Sequence, residues 1–307
     1  MELFQDDWIL AHRPPRNPVF ADRPYAYLVE QELASDGRVV DVATLFLTNR
    51  ECPFRCLMCD LWKNTLEVAV APGQIPEQIR WGLAQLPAAQ HLKLYNSGNF
   101  FDPLAIPPED YSEIARLAAP FDRVIVECHP KLVGRRCWEF HRLLRNQLEV
   151  AMGLETVHPE ILPRLNKQMT LDDFSSAVKA LRAEGIAVRA FILVRPPFLT
   201  DAEGLEWARR SLDFAFSIGV ECCSLIPTRS GNGAMEELAR RGLFAPPSLE
   251  SLEEALEYGL SLRAGRVLVD LWDIKKNLED RRDLDRITRL ARMNLSQLSE
   301  PKVGGTP

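Results

Sequence analysis

The strongest constraint on the fold is a rhythm. Six times in succession an apolar run is followed by a stretch of helical character. The runs cover residues 40–48, 91–95, 123–128, 148–154, 186–194 and 220–226, and each has the length of a strand. Residues 74–86 place Ile75, Ile79, Leu83 and Leu86 on one helical stripe, and helices are expected near 109–118 and 136–145. Two further helices have sharp limits. Thr170 with Asp173, and Thr200 with Glu203, place a hydroxyl N-cap and an acidic third residue before apolar periodicity. Gly185 and Gly219 end those helices, where a left-handed residue is wanted. Strands alternating with helices at this spacing imply βαβ units and a parallel sheet.

The expected architecture is α/β, a partial (β/α)6 TIM-like barrel in a single domain over residues 1–307. Its core is 40–230, and its first strand is apolar enough to be covered on both faces. Residues 1–39 carry Arg-Pro-Pro-Arg-Asn-Pro and Asp-Arg-Pro, which break regular structure and suggest an N-terminal arm anchored by aromatics at 24–28. Residues 231–298 form a C-terminal extension, with helices near 234–241, 249–263 and 283–295 and a possible extra strand at 266–271. The tail 299–307 reads as flexible coil.

Parallel α/β folds gather their chemistry at the C-terminal ends of the strands. Those positions are polar here. Asn96, Ser97, Gly98 and Asn99 follow the second strand, Glu127 ends the third and Glu155 the fourth. Arg195 closes the fifth, and Thr228 and Arg229 follow the sixth. After the first strand comes Cys52-x₃-Cys56-x₂-Cys59. With 7 cysteines in 307 residues, about 0.004 such spacings are expected by chance. Three thiolates on one loop suit an iron–sulfur cluster, and leave one iron of a four-iron cluster open.

Composition limits the alternatives. A net charge of −6 and a pI near 5.6 argue against an extended basic surface for nucleic acid. The acidic N-terminus has no signal-peptide pattern and no apolar run is long enough to span a bilayer, so a cytoplasmic location and no membrane partner are expected. Clustered cysteines fit a reducing compartment.

The cysteine triplet after the first of six strand–helix steps resembles the radical S-adenosylmethionine (SAM) superfamily, over roughly residues 40–230. The resemblance implies a [4Fe-4S] cluster on Cys52, Cys56 and Cys59. It also implies that SAM chelates the open iron and is reductively cleaved to a 5′-deoxyadenosyl radical, and that a reducing partner such as flavodoxin or ferredoxin acts. By position, Asn96, Ser97 and Gly98 stand where the family's Gly-Gly-Glu-type motif holds the SAM amine, without its paired glycines or its acid. Glu155 matches the position that touches the ribose or carboxylate, and Met58 the residue that packs on the adenine. Arg195 offers a guanidinium fork for the carboxylate. Glu127 and Arg229, with Arg195, are expected to face the substrate. The stretches 94–102, 153–156 and 194–198 resemble the elongator/MiaB/NifB-type branch, and within it the archaeosine-biosynthesis type.

Three readings therefore stand. The first is a radical SAM enzyme abstracting hydrogen from a small molecule or modified nucleoside. The second makes the substrate tRNA, which the charge does not favour. In the third, a cluster serves a non-catalytic redox or sensing protein. A zinc site closed by Cys128 or His129 is the bland reading of the triplet. Cys137, Cys222 and Cys223 are expected in the core.

Overall fold

A computed structural model describes residues 4–272, 274 and 281–302. Eight strands form one sheet in chain order: β1 (Ala26–Leu33), β2 (Val39–Phe46), β3 (His91–Tyr95), β4 (Arg123–Glu127), β5 (Gln147–Glu155), β6 (Ala187–Val194), β7 (Cys222–Pro227) and β8 (Arg266–Val269). All neighbours from β2 onward are parallel, and β1 lies antiparallel on the outer edge of β2. The crossovers carry α2 (Gln74–Leu83), α3 (Tyr111–Ala118), α4 (Arg135–Leu143), the short α5 (Ile161–Arg164), α6 (Leu171–Ala183), α7 (Asp201–Ser217), α8 (Ala234–Arg240) and α9 (Leu249–Leu262), following an N-terminal α1 (Asp6–Ala11). Among the described residues β1 and β8 do not pair. Instead α10 (Arg281–Ser296) packs against both edges, so the sheet is a partial barrel.

The two expected capping boxes form. Asp173 N donates to Thr170 Oγ1 at 3.1 Å and Thr170 N to Asp173 Oδ2 at 2.8 Å; Thr200 and Glu203 repeat the exchange at 3.3 and 2.8 Å. Each cap contributes about 1 kcal/mol. Gly185 and Gly219 sit at φ 74° and 95°, where a side chain would be strained.

Alternation along the strands gives the sheet two unlike faces. Leu92 and Leu94, Val124 and Val126, and Val188 and Ile192 point outward into one buried aliphatic core under the helices. Full burial of each such side chain is worth about 1.5–3 kcal/mol. The inner face is polar at its base. There Lys93 Nζ bonds Glu30 at 2.8 Å and Glu32 at 2.6 Å, while Glu149 takes Arg123 at 2.6 Å, Arg189 at 2.7 Å and Arg266 at 3.2 Å. Arg189 also pairs with Glu32. This charged floor closes the lumen beneath the site.

One expectation holds with a refinement, and two change here. The first core strand is covered on both faces, but Thr44 and Phe46 of β2 face the polar lumen rather than the aliphatic layer. Residues 26–33, read within the arm, form a sheet strand: Glu32 is buried against Lys93 and Arg189, and the more exposed Glu30 also reaches Lys93. Glu300, in the expected flexible tail, receives Arg292 at 2.6 Å, and its carbonyl accepts from Arg289 at 2.9 Å. Residues 303–307 of that tail and 1–3 of the arm lie outside the described residues.

Candidate functional site

The cysteine loop leaves the end of β2 and is pinned from three sides. Its own backbone turns on Cys59 N to Cys56 O at 3.1 Å. Asn166 Nδ2 donates to Arg55 O at 2.8 Å, and Asn232 Nδ2 donates to Leu57 O at 2.8 Å and Cys59 O at 3.1 Å. Leu57 N reaches Leu165 O at 2.9 Å. Below the loop, Glu51 pairs with Arg13 at 2.6 Å, with Arg55 at 3.2 Å and with Arg16. Satisfying these carbonyls fixes an irregular loop that has no ladder of its own.

The turn after β3 lies against it. Asn99 Nδ2 donates to Cys52 Sγ at 3.0 Å, while Asn99 Oδ1 accepts from His129 N. A Cβ on Gly98 would stand 3.1 Å from Cys52 Cβ, so the turn approaches the loop as closely as glycine permits. Ser97 adopts φ 55° and its hydroxyl donates to Tyr25 at 2.9 Å. Asn96 is fully buried, with neither end of its amide partnered. An unmet buried amide costs about 1–3 kcal/mol and marks a place for a polar ligand group.

The third side is Glu155, at φ 65° beyond a bulge in β5, bonded by Lys167 Nζ at 2.8 Å. Gly153 makes room for the pair: a Cβ there would lie 2.0 Å from Glu155 Oε1 and 2.5 Å from Lys167 Nζ. Burial works against the Lys167 cation, yet Glu155 and the nearby cysteines hold its ammonium above the usual lysine range. Burial pushes the Cys52, Cys56 and Cys59 thiols up to about 12, against a small opposing pull from Lys167. Ligation reverses that, since a bound metal ionises a thiol outright.

The donor set fits an iron–sulfur cluster. All three cysteines are free thiols on one loop, and among the described residues no group of three or more His, Cys, Asp or Glu side chains is gathered closely enough to hold a single metal ion. The zinc reading loses its fourth ligand. Cys128 Sγ donates to His129 O at 3.2 Å, and the His129 ring stacks on Phe54 at 3.7 Å with Nε2 on Lys167 O at 2.9 Å. Cys137, Cys222 and Cys223 are buried core, as expected.

Deeper in the lumen, Phe46, Tyr95 and Phe191 are half-buried, with ring centres 6.1 and 6.3 Å apart, and Trp272 stands 5.7 Å from Phe46. Glu127 lies at the edge of this chamber. Burial pushes its carboxyl up to about 7, against the amides of Asn96, Gly98 and Ser97. Arg229 donates to Asp270 Oδ2 and Trp272 O at 3.4 and 3.3 Å across the chamber's open side, and burial raises the Asp270 carboxyl despite that cation.

The structure thus gathers the cysteines, the 96–99 turn, Glu127 and Glu155. Met58 is half-buried between apolar clusters from α1 and α8 on one side and α5 and β6 on the other. Arg195 is not brought into the group, because its guanidinium donates to Pro246 O at 2.8 Å and lies 3.7 Å from Asp201. Sequence reading missed Lys167, Asn166 and Asn232. They lie in loops without periodicity, 11 or more residues beyond Glu155 and past α5, and carry no local signature.

A sequence profile described as the radical SAM superfamily matches residues 47–210, more than half of the chain. An uncharacterized protein of Methanocaldococcus jannaschii is 22% identical over 80% of this chain and 72% of its own length. Archaeosine synthase subunit beta of Methanosarcina acetivorans is 29% identical, over 54% of this chain and 49% of its own length. This chain therefore spans about half of that relative. Among solved structures, Streptococcus suis SuiB bound to S-adenosylmethionine matches with a TM-score of 0.55 at 12% identity, over 75% of this chain and 51% of that one. At that identity the likeness is one of fold. No helix among the described residues is long and apolar enough to cross a membrane.

Proposed function

The chain belongs to the radical SAM superfamily, and on that premise we propose that Cys52, Cys56 and Cys59 hold a [4Fe-4S] cluster with SAM seated across the ends of β3 and β5. It is an enzyme of that superfamily. The observation that carries the residue assignment is the packing of the 96–99 turn and the Lys167–Glu155 pair around one three-cysteine loop. Together the cluster and SAM supply one-electron cleavage of SAM and so hydrogen abstraction from an unactivated carbon.

The chain's own residues do the rest. Asn99 steadies the Cys52 sulfur, and the backbone carbonyls of 96–98 accept from the SAM amine. Lys167, the buried cation of the site, takes the carboxylate role that the sequence suggested for Arg195, while Glu155 faces the ribose. Met58 offers a polarizable surface to the adenine. The lumen below excludes water and presents the substrate.

For that substrate, the half-buried aromatics Phe46, Tyr95 and Phe191, with the exposed Trp272 beside Phe46, favour a flat ring, so a modified nucleoside is preferred to an aliphatic small molecule. The similarity to an archaeosine synthase subunit supports the same choice. Free nucleoside and tRNA share that ring. The net charge of −6 leaves tRNA binding to a local surface or to a partner.

Anaerobic reconstitution should give about four irons per chain. With dithionite and SAM the protein should form 5′-deoxyadenosine, and Cys56→Ala should abolish both cluster and product. An intact cluster that neither binds nor cleaves SAM would overturn the proposal and leave the redox-sensing alternative standing.

A further inference from the structure

The 96–99 turn has an unusual construction. Ser97 holds a left-handed backbone at φ 55° without being glycine, a conformation that persists only where the surroundings enforce it. The enforcement comes from a neighbouring strand. Asn96 N donates to Glu127 Oε2 at 3.0 Å, and the Ser97 and Gly98 amides also turn toward that carboxylate. Phe100 N donates to the Glu127 carbonyl at 2.8 Å, so one residue brackets the turn at both ends. Successive amides converging on one carboxylate form an anion nest, and their carbonyls are then left pointing away from it.

We propose that Glu127 is a positioning residue for SAM. Its carboxylate clamps the 96–98 backbone from β4 and supplies the acid that this turn lacks in its own sequence. It acts through the turn and does not meet the reacting atoms. This deepens the proposed function and rests on its placement of SAM.

The clamp is open to protons. Burial pushes the carboxyl up to about 7, and the groups facing it are Tyr25 and Tyr95, both held protonated by burial, and the Lys167 cation beside Glu155. SAM is seated on the turn in the form that the ionised carboxylate holds, so its arrival favours the ionised clamp and releases a proton from Glu127. Affinity for SAM therefore rises as the pH rises through 7. Between pH 6 and pH 8 the gain from this group is up to about tenfold. The SAM amine also loses its own proton on ligation, but that contribution is common to wild type and variants.

The test is equilibrium SAM binding to reconstituted wild type, Glu127→Gln and Glu127→Ala from pH 6 to 8, with iron and sulfide content measured on each. The expected result is full cluster content in all three. At pH 8 the alanine variant should bind SAM about five- to a hundredfold more weakly, the range left by unmet buried amides. Glutamine, which keeps one acceptor, should lie between, and its affinity should lack the extra pH gain of wild type. Variants that bind SAM like wild type at every pH, losing only substrate turnover, would overturn the inference in favour of direct catalysis. Loss of the cluster in Glu127→Gln would overturn it in favour of a purely structural role. Failure of cluster-loaded wild type to bind SAM would instead reject the proposed function itself.

Discussion

Glu149 is the keystone of the charged floor. It is wholly buried and takes three guanidiniums, from Arg123, Arg189 and Arg266 at 2.6, 2.7 and 3.2 Å. Burial alone would raise its carboxyl, but Arg189, Arg266 and Arg123 outweigh that and hold it at about 2, against an ordinary 4.5. At 1.36 kcal/mol per unit, the difference is worth roughly 3 kcal/mol of folding stability. Because the folded value is depressed, the contribution is complete above pH 4.5 and is lost as pH falls toward 2. Glu149→Gln keeps the shape and removes the charge. It leaves Arg123 to Ser35 and Gln147 at 2.8 and 2.5 Å, and Arg189 and Arg266 to the already shared Glu32. Removing one partner of a buried pair costs about 3–5 kcal/mol, in accord with the first figure. The assay is urea unfolding followed by far-ultraviolet circular dichroism. At pH 7 the midpoint of Glu149→Gln should fall by about 1 M, since a chain of this size loses about 3 kcal/mol per molar urea. The gap should narrow below pH 4.5. A midpoint within about 0.2 M of wild type, or a gap that widens in acid, would refute the reasoning.

Two further predictions bear on the site. Asn99→Ala removes the 3.0 Å donor to Cys52 Sγ, so the reconstituted protein should show a lower reduction potential in an EPR-monitored titration, with its iron content kept. An unmoved potential would show that this hydrogen bond does not reach the cluster. Gly153→Ala places a methyl 2.0 Å from Glu155 Oε1 and 2.5 Å from Lys167 Nζ, which drives the pair apart at a cost of about 1–3 kcal/mol. SAM affinity should drop about tenfold or more, read by equilibrium dialysis, while the protein stays folded. Undiminished binding would remove Lys167 and Glu155 from the SAM seat.

Much of this was legible before any coordinates. Short, nearly continuous apolar runs alternating with stretches of period 3.6 imply a wound parallel sheet, and capping chemistry places two helix starts to the residue, because both are local properties of the chain. The thiols at 52, 56 and 59 are likewise a local fact, since only a short loop can present them together. What was hidden depends on contacts across the chain. β1 was missed because Glu32 looks like a solvent charge until β3 and β6 bring Lys93 and Arg189 to it. Lys167 was missed because a lone lysine in a loop has no signature.

Glu127 and Arg195 show the division most clearly. Both end a strand, and from the sequence both are polar groups at the mouth of a barrel. Tertiary structure turns one into the turn that borders the cysteines and the other outward to Pro246 and Asp201. Which way a strand-end side chain faces depends on the twist, bulge and loop packing around it. The chain by itself determined the class of sheet, the three thiols and hence the family chemistry. Only the fold decided which charges meet, because burial makes an unpaired charge too costly and lets distant partners choose one another.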